Sequence, residues 1–237
     1  MKLSGKNPVL ERIKSNPKSI RRLFIEEGHN ESEYVKMKCN QHKIPVVVVP
    51  YTKIQKMANS TSTQGILAEI EDFPYSDFNE LLANALKKKR IIIFLDNVTD
   101  PQNLGGIVRT AGSLGEFDIV IPTTEAVGVT EAVLRVACGG ENYIHMSRVG
   151  NIANAITKAK DAGYWIAGTS IINAKSLYDV KFQYPLGLVF GSEAKGIRDI
   201  IRKKIDCEVM IPMKERMSFN VSHATAVFCV EALRQRP

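Results

Sequence analysis

Residues 91–115 set the strongest limit on what this chain can fold into. Ile91 to Leu95 is an unbroken apolar run with none of the alternation of a half-exposed strand, so it reads as a strand covered on both faces. A polar turn follows, and Asp100-Pro101 supplies an N-cap with proline at the first helical position. Leu104, Ile107, Val108, Ala111 and Leu114 then recur at helical spacing until Gly115 closes the helix. From there strands are predicted at Phe117 to Ile121, Tyr143 to Met146, Tyr164 to Gly168, Leu186 to Phe190 and Cys207 to Ile211. Helices alternate with them near Thr130 to Cys138, Ile152 to Ala162 and Val221 to Gln235. This alternation predicts an α/β fold, a mostly parallel sheet with helices on both faces. Ligands on such sheets bind at the carboxyl ends of strands, here the turns after Leu95, Gly168, Phe190 and Ile211.

The first 71 residues read as a separate, smaller α/β unit. Helices are predicted near Pro8 to Ser15, Glu31 to His42 and Lys53 to Ala58, and strands at Leu23 to Ile25, Val46 to Val49 and Gly65 to Ile70. Asp72 to Asp77, with Pro74 inside, marks the boundary, and a helix from Phe78 to Lys89 leads into the first long strand. The expected division is 1–71, a linker and leading helix over 72–90, and 91–237.

The net charge of +7 is unevenly spread: residues 1–90 carry 16 Lys+Arg against 10 Asp+Glu, a balance of +6, and the remainder carries +1. Lys14, Lys18, Arg21, Arg22, Lys36, Lys38 and the run Lys87 to Arg90 supply the excess. Such a field favours a polyanion, and without an amphipathic apolar face it favours nucleic acid over a membrane. No apolar run is long enough to span a bilayer, and the first residues lack a signal-peptide core, so a cytoplasmic protein is expected. Cys39, Cys138, Cys207 and Cys229 lie far apart without paired ligand spacing. They read as buried free thiols, with no metal site.

Arg109 cannot join the apolar stripe of its helix. Its neighbours at minus four and plus three are Gly105 and Gly112, which leave either a bare groove suited to a phosphate or ribose, or a solvated arginine on a helix that uses small residues for packing. Gly191-Ser-Glu-Ala-Lys-Gly196 fails as a P-loop, because its lysine precedes the second glycine. No strand is followed by G-x-G-x-x-G, and His29, His42, His145 and His223 show neither metal nor triad spacing. Two further strand ends remain polar. One carries Glu193, and the other delivers Ser218 and Asn220 to the start of the last helix, where either is also a capping residue. That helix carries Val221, Ala224, Thr225, Phe228 and Ala232 in one stripe, compatible with packing on its own domain or on a second subunit.

Taken together, Asn97-Val-Thr-Asp-Pro-Gln-Asn103-Leu-Gly-Gly-Ile-Val-Arg109-Thr-Ala, Leu188-Val-Phe-Gly191-Ser-Glu193-Ala-Lys-Gly196 and Ile211-Pro-Met213 with Ser218-Phe-Asn220-Val-Ser222 resemble the three motifs of the SpoU family of RNA ribose 2'-O-methyltransferases, of the SPOUT class. Gly5-Lys-Asn-Pro-Val9 and Gln64-Gly-Ile66 resemble the L30e-like substrate-binding domain of the branch that modifies 23S rRNA. The resemblance implies a trefoil knot in the sheet, built from segments around Gly168, Gly191 and Ile211 to Asn220. It implies S-adenosylmethionine (AdoMet) as cofactor, held near Thr169, Gly191, Ile211 and Phe219, and a homodimer with its sites near the interface. Arg109, Asn103, Glu193, Ser218 and Asn220 become the implied catalytic residues, with Arg109 beside the target ribose, held by Asn103 or Glu193. A guanosine of 23S rRNA is the implied substrate, with tRNA or a non-catalytic RNA-binding role as alternatives and no DNA or membrane partner. The chain departs from the family's pattern at Asn7, where histidine is common, at Phe219, where leucine is usual, and at Lys214-Glu215-Arg216, which replaces a stretch often small and glycine-containing.

Overall fold

The computed structural model describes residues 1–170, 174–192, 195–214 and 218–237. The N-terminal unit runs β1 (Lys2–Ser4), α1 (Lys6–Ser15), β2 (Ile20–Glu26), α2 (Ser32–Gln41), β3 (Val46–Val49), α3 (Tyr51–Ala58) and β4 (Ile66–Ile70). Its sheet has the order β1-β4-β2-β3, antiparallel except for β2 with β3. Period-two alternation along β2 sends Leu23 and Ile25 toward Val9, Ile13, Val35 and Cys39 of α1 and α2, and Phe24 toward Ile54 of α3.

A second unit follows: α4 (Phe78–Lys87), β5 (Ile91–Leu95), α5 (Pro101–Leu114), β6 (Phe117–Pro122), α6 (Glu131–Ala137), β7 (Met146–Val149), α7 (Ile152–Asp161), β8 (Trp165–Thr169), β9 (Lys175–Ser176), β10 (Leu186–Phe190), α8 (Asp199–Arg202), β11 (Cys207–Met210) and α9 (Val221–Gln235). Among the described residues its strands form one sheet in the order β7-β6-β5-β10-β8-β11-β9, and every pairing is parallel. The apolar run in β5 now has its reason. Ile91, Ile93 and Leu95 pack under α5 and α9, whereas Ile92 and Phe94 pack on the other face under α4 and α7. Asp100 caps α5 by accepting from the Gln102 amide at 3.1 Å, and Gly115 ends it at φ 78°.

The two units are packed together. Leu134 of α6 is buried in the N-terminal core, and Arg12 donates from Nη2 to Glu141 Oε1 at 2.8 Å with both residues buried. Burial raises the Glu141 carboxyl above its ordinary value, a shift opposed by Arg12.

The strand expected at Tyr143 to Met146 is corrected. Gly140–Tyr143 is a 3-10 turn, and the strand begins at Met146. The reason is tertiary: Glu141 turns inward to Arg12, and the Tyr143 hydroxyl bonds Glu11 of α1. The basic run Lys87 to Arg90 also shortens as a binding surface, since Arg90 is spent on Asp118 and the carbonyls of Gly115 and Phe117. Short β1, β9 and α8 lie outside every expected element. Of the four free cysteines, Cys39 and Cys229 are buried while Cys138 and Cys207 are only half-buried. Burial pushes the Cys39 thiol up to about 11.

Candidate active site

Parallel pairing aligns Leu95 with Phe190, Val189 with Gly168, and Val209 with Thr169, so β5, β10, β8 and β11 end along one edge. A cavity of about 300 Å3 opens there, at the low end of the range for small-molecule sites. Phe190, Val209, Val221 and Phe228 make an apolar wall, Ser170 and Ser218 present hydroxyl groups, and Lys195 and Arg202 add positive charge. Thr169, Gly191, Ile211 and Phe219 also line this cavity, with Phe219 48% exposed at its mouth.

Close backbone approach explains Gly191. The chain doubles back after β10, with the Gly196 amide donating to the Ser192 carbonyl at 2.8 Å, and a Cβ on Gly191 would stand 2.1 Å from the Gly196 carbonyl carbon. The far end of this turn is clamped by a residue that sequence reasoning missed. Asp96, fully buried at the end of β5, accepts from the Arg198 amide at 2.9 Å and from Arg198 Nε at 2.8 Å. An acid placed directly after a buried strand was the available signal.

Asn220 joins the two helices of the site. Its side-chain oxygen caps α9 by accepting from the Ser222 amide at 2.9 Å, and its Nδ2 donates to Asn103 Oδ1 at 2.7 Å. Asn103 is buried in the first turn of α5, where it meets Asn220. Capping and bridging are one arrangement here, and Asn220 rather than Ser218 is the cap.

Of the two readings of Gly105 and Gly112, a bare groove or close packing, the contacts support packing. A Cβ on Gly105 would meet Val136 Cβ of α6 at 2.5 Å, and one on Gly112 would meet the Gly140 carbonyl oxygen at 2.3 Å. Gly106 in turn faces Ser222 of α9, where a Cβ would stand 2.9 Å from Ser222 Cβ. These small residues let three neighbours, α6, the Gly140 turn and α9, approach α5, and among the described residues no groove is left over them. At roughly 100° per residue, Arg109 points about 60° from Gly106 and 40–60° from Gly105 and Gly112. It therefore stands in the seam between α9 and the Gly140 turn. It is exposed and makes no hydrogen bond or ion pair to any described residue. Glu193, the other expected holder of Arg109, lies outside the described residues, as do Glu215 and Arg216.

A parallel sheet with a polar-rimmed cavity across its carboxyl edge, beside a helix that presents a free guanidinium, defines an α/β protein built to bind a small molecule next to an anionic partner. The chain belongs to the SpoU rRNA methylase family, whose model matches residues 90–230. A second model, RNA 2'-O ribose methyltransferase substrate binding, matches residues 3–76. A protein of Staphylococcus saprophyticus classed as a TrmH family tRNA/rRNA methyltransferase is 34% identical over 238 residues, covering 98% of this chain and 94% of the relative. Among solved structures, the AdoMet-bound rRNA methyltransferase of Sinorhizobium meliloti shares the fold with a TM-score of 0.81 at 22% identity, over 100% of this chain and 87% of its own. The TrmH/SpoU tRNA-modifying enzyme of A. aeolicus aligns at 0.56 and 25% identity, over 67% of this chain and 84% of its own. No helix among the described residues is long and apolar enough to cross a membrane.

Proposed function

We propose that this protein transfers a methyl group from AdoMet to a ribose 2'-hydroxyl of RNA, and that the nucleotide is a guanosine of 23S rRNA. The observation that carries the reading is the Asn220–Asn103 bond, which ties the rim of the strand-end cavity to the helix bearing Arg109. The residues present fit the cofactor. The apolar wall suits an adenine, Ser170 suits the sugar hydroxyls, and Lys195 and Arg202 match a carboxylate. Thr169, Gly191, Ile211 and Phe219 are the proposed holders. When bound, AdoMet supplies a methyl group activated by a sulfonium leaving group.

The chain's own work is to orient the ribose and ease loss of the hydroxyl proton. A guanidinium is effectively always charged in proteins, so Arg109 serves as a permanent cation and not as a base. Arg109 pins the phosphate beside the target ribose and lowers the cost of the alkoxide, whose proton passes to solvent water. Asn103 and Asn220 fix α5 against the cavity, Ser218 orients the ribose, and Glu193 is retained as a partner of Arg109.

The choice of 23S rRNA over tRNA rests on the resemblance of the N-terminal unit to the substrate-binding domain of that branch, while the relatives that span both units are named tRNA/rRNA methyltransferases. An L30e-like RNA-binding unit over 1–71, a linker through 90, a methyltransferase domain over 91–237 carrying the trefoil knot, and a cytoplasmic location belong to the same proposal. So does a homodimer. The inner stripe of α9 is consumed by its own core, while Val227 and Val230 face outward at 38% and 57% exposure and supply a surface for a second copy.

Incubation with labelled AdoMet and unmodified total RNA, followed by mapping of the label, tests the reading. Label is expected on a ribose 2'-oxygen in the large-subunit RNA. Label in tRNA selects the alternative substrate, and a protein that binds AdoMet without transferring to any RNA refutes the activity.

A further inference from the structure

The N-terminal unit holds a second cavity of about 600 Å3, away from the proposed methyl-donor site. One wall is a face of α1, where Asn7, Leu10, Glu11 and Lys14 recur at i, i+3, i+4 and i+7. The opposite wall is a face of α2, with Tyr34, Lys38 and Gln41 at i, i+4 and i+7. Both helices build the core through Val9, Val35 and Cys39, while Leu10 and Ile13 are shared between that core and the cleft. The polar cleft residues Asn7, Tyr34, Lys38 and Gln41 lie outside that core. Burying a tyrosine ring stabilises a fold, yet Tyr34 is left 48% exposed, with Lys38 Nζ 5.7 Å from its ring centroid. Lys14 adds a second exposed ammonium. The acidic member of the cleft, Glu11, is already engaged by the Tyr143 hydroxyl and by Lys14 at 3.8 Å.

This combination matches the needs of an unpaired nucleotide. An open aromatic face stacks a base, ammonium groups meet its phosphates, and the amides of Asn7 and Gln41 read its edge. The cleft also reaches the second unit. Cys138, where α6 ends, lines it, and a Cβ on Gly139 would stand 2.4 Å from Glu11 Cγ. The next residue, Gly140, lies against the backbone of Arg109. Two peptide links separate Cys138 from Gly140, at most about 7.6 Å between Cα atoms. The end of α6 thus links the cleft, through Gly139 and Gly140, to the backbone that carries Arg109.

We propose that this cleft is a subsite for an unpaired nucleobase of the RNA substrate, stacked on Tyr34 with its phosphates on Lys14 and Lys38, flanking the nucleotide that is methylated. The proposal rests on the reading of the chain as an RNA methyltransferase. Fluorescence anisotropy of the full chain with a labelled single-stranded RNA of mixed sequence, and with its blunt duplex, tests it. Tyr34→Ala is expected to weaken single-strand binding about ten-fold, while Tyr34→Trp, which keeps the stacking face, stays within about two-fold of wild type. Duplex binding stays unchanged, AdoMet binding by calorimetry is retained in both variants, and KM for RNA rises in Tyr34→Ala with kcat kept. Undiminished single-strand binding by Tyr34→Ala, or a Tyr34→Trp protein as weak as the alanine variant, would overturn the subsite alone. A wild-type protein that neither binds nor methylates RNA would overturn the functional reading and the subsite with it.

Discussion

Arg109 is the residue on which the proposed chemistry turns, and its exposure has a cause. The positions flanking it on α5 are small because α6, the Gly140 turn and α9 press against them, and the guanidinium projects between these contacts into solvent. Removing a preorganised charge partner from a transition state costs about 10²- to 10³-fold in kcat. Arg109→Ala should lose at least that much methyl transfer, with AdoMet affinity by calorimetry retained. Full activity in this variant would remove Arg109 from the mechanism. Arg109 stood out in the sequence because it broke an apolar stripe. Asp96 did not, because its importance comes from Arg198, 102 residues later in the chain.

At the scale of elements, helix-to-helix approach sets the position of the site. A Cβ on Gly112 would meet backbone atoms of Gly140 at 2.3 and 2.6 Å, and backbone cannot rotate away. Gly112→Ala is expected to cost about 1–3 kcal/mol by overpacking, read as a drop in thermal midpoint, and to slow methyl transfer because Arg109 rides on the same contact. Gly150→Ala has nothing within 4 Å of its new Cβ and should stay within about 0.5 kcal/mol of wild type. Equal stability in the two variants would show that α5 and the Gly140 turn are not held by this contact. The elements themselves were largely legible: β5, β10, α5 and α9 follow from apolar periodicity and caps, whereas the 3-10 turn at Gly140–Tyr143 does not. Its sequence reads as a strand until Arg12 and Glu11 are brought to it from a different unit.

At the scale of the whole molecule, the Arg12–Glu141 pair is the clasp between the two sheets, and it is an expensive one. Arg12 Nε and Glu141 Oε2 are buried without a hydrogen-bond partner among the described residues. Burial holds the Glu141 carboxyl above its ordinary 4.5. A group raised in this way favours the folded chain most below its unfolded pKa and loses that contribution as pH rises through the folded value, so near neutrality the ionised pair is a cost. Arg12→Ala alone should destabilise by about 3–5 kcal/mol, since it strands a buried carboxylate, and Arg12→Met with Glu141→Leu should recover most of the loss in denaturant titrations. A double variant no better than the single would show that the pair's charge, not its volume, joins the units. By itself, the sequence determined the alternating α/β fold, the sheet's parallel sense and the three polar strand ends, because periodicity, caps and breakers act within a few residues. Only the tertiary structure decided that Asn220 reaches Asn103, that the glycines of α5 are packing contacts, and that a cleft with an open tyrosine extends to the end of α6. Those facts depend on atoms far apart in the chain, and no local pattern records which distant surfaces will meet.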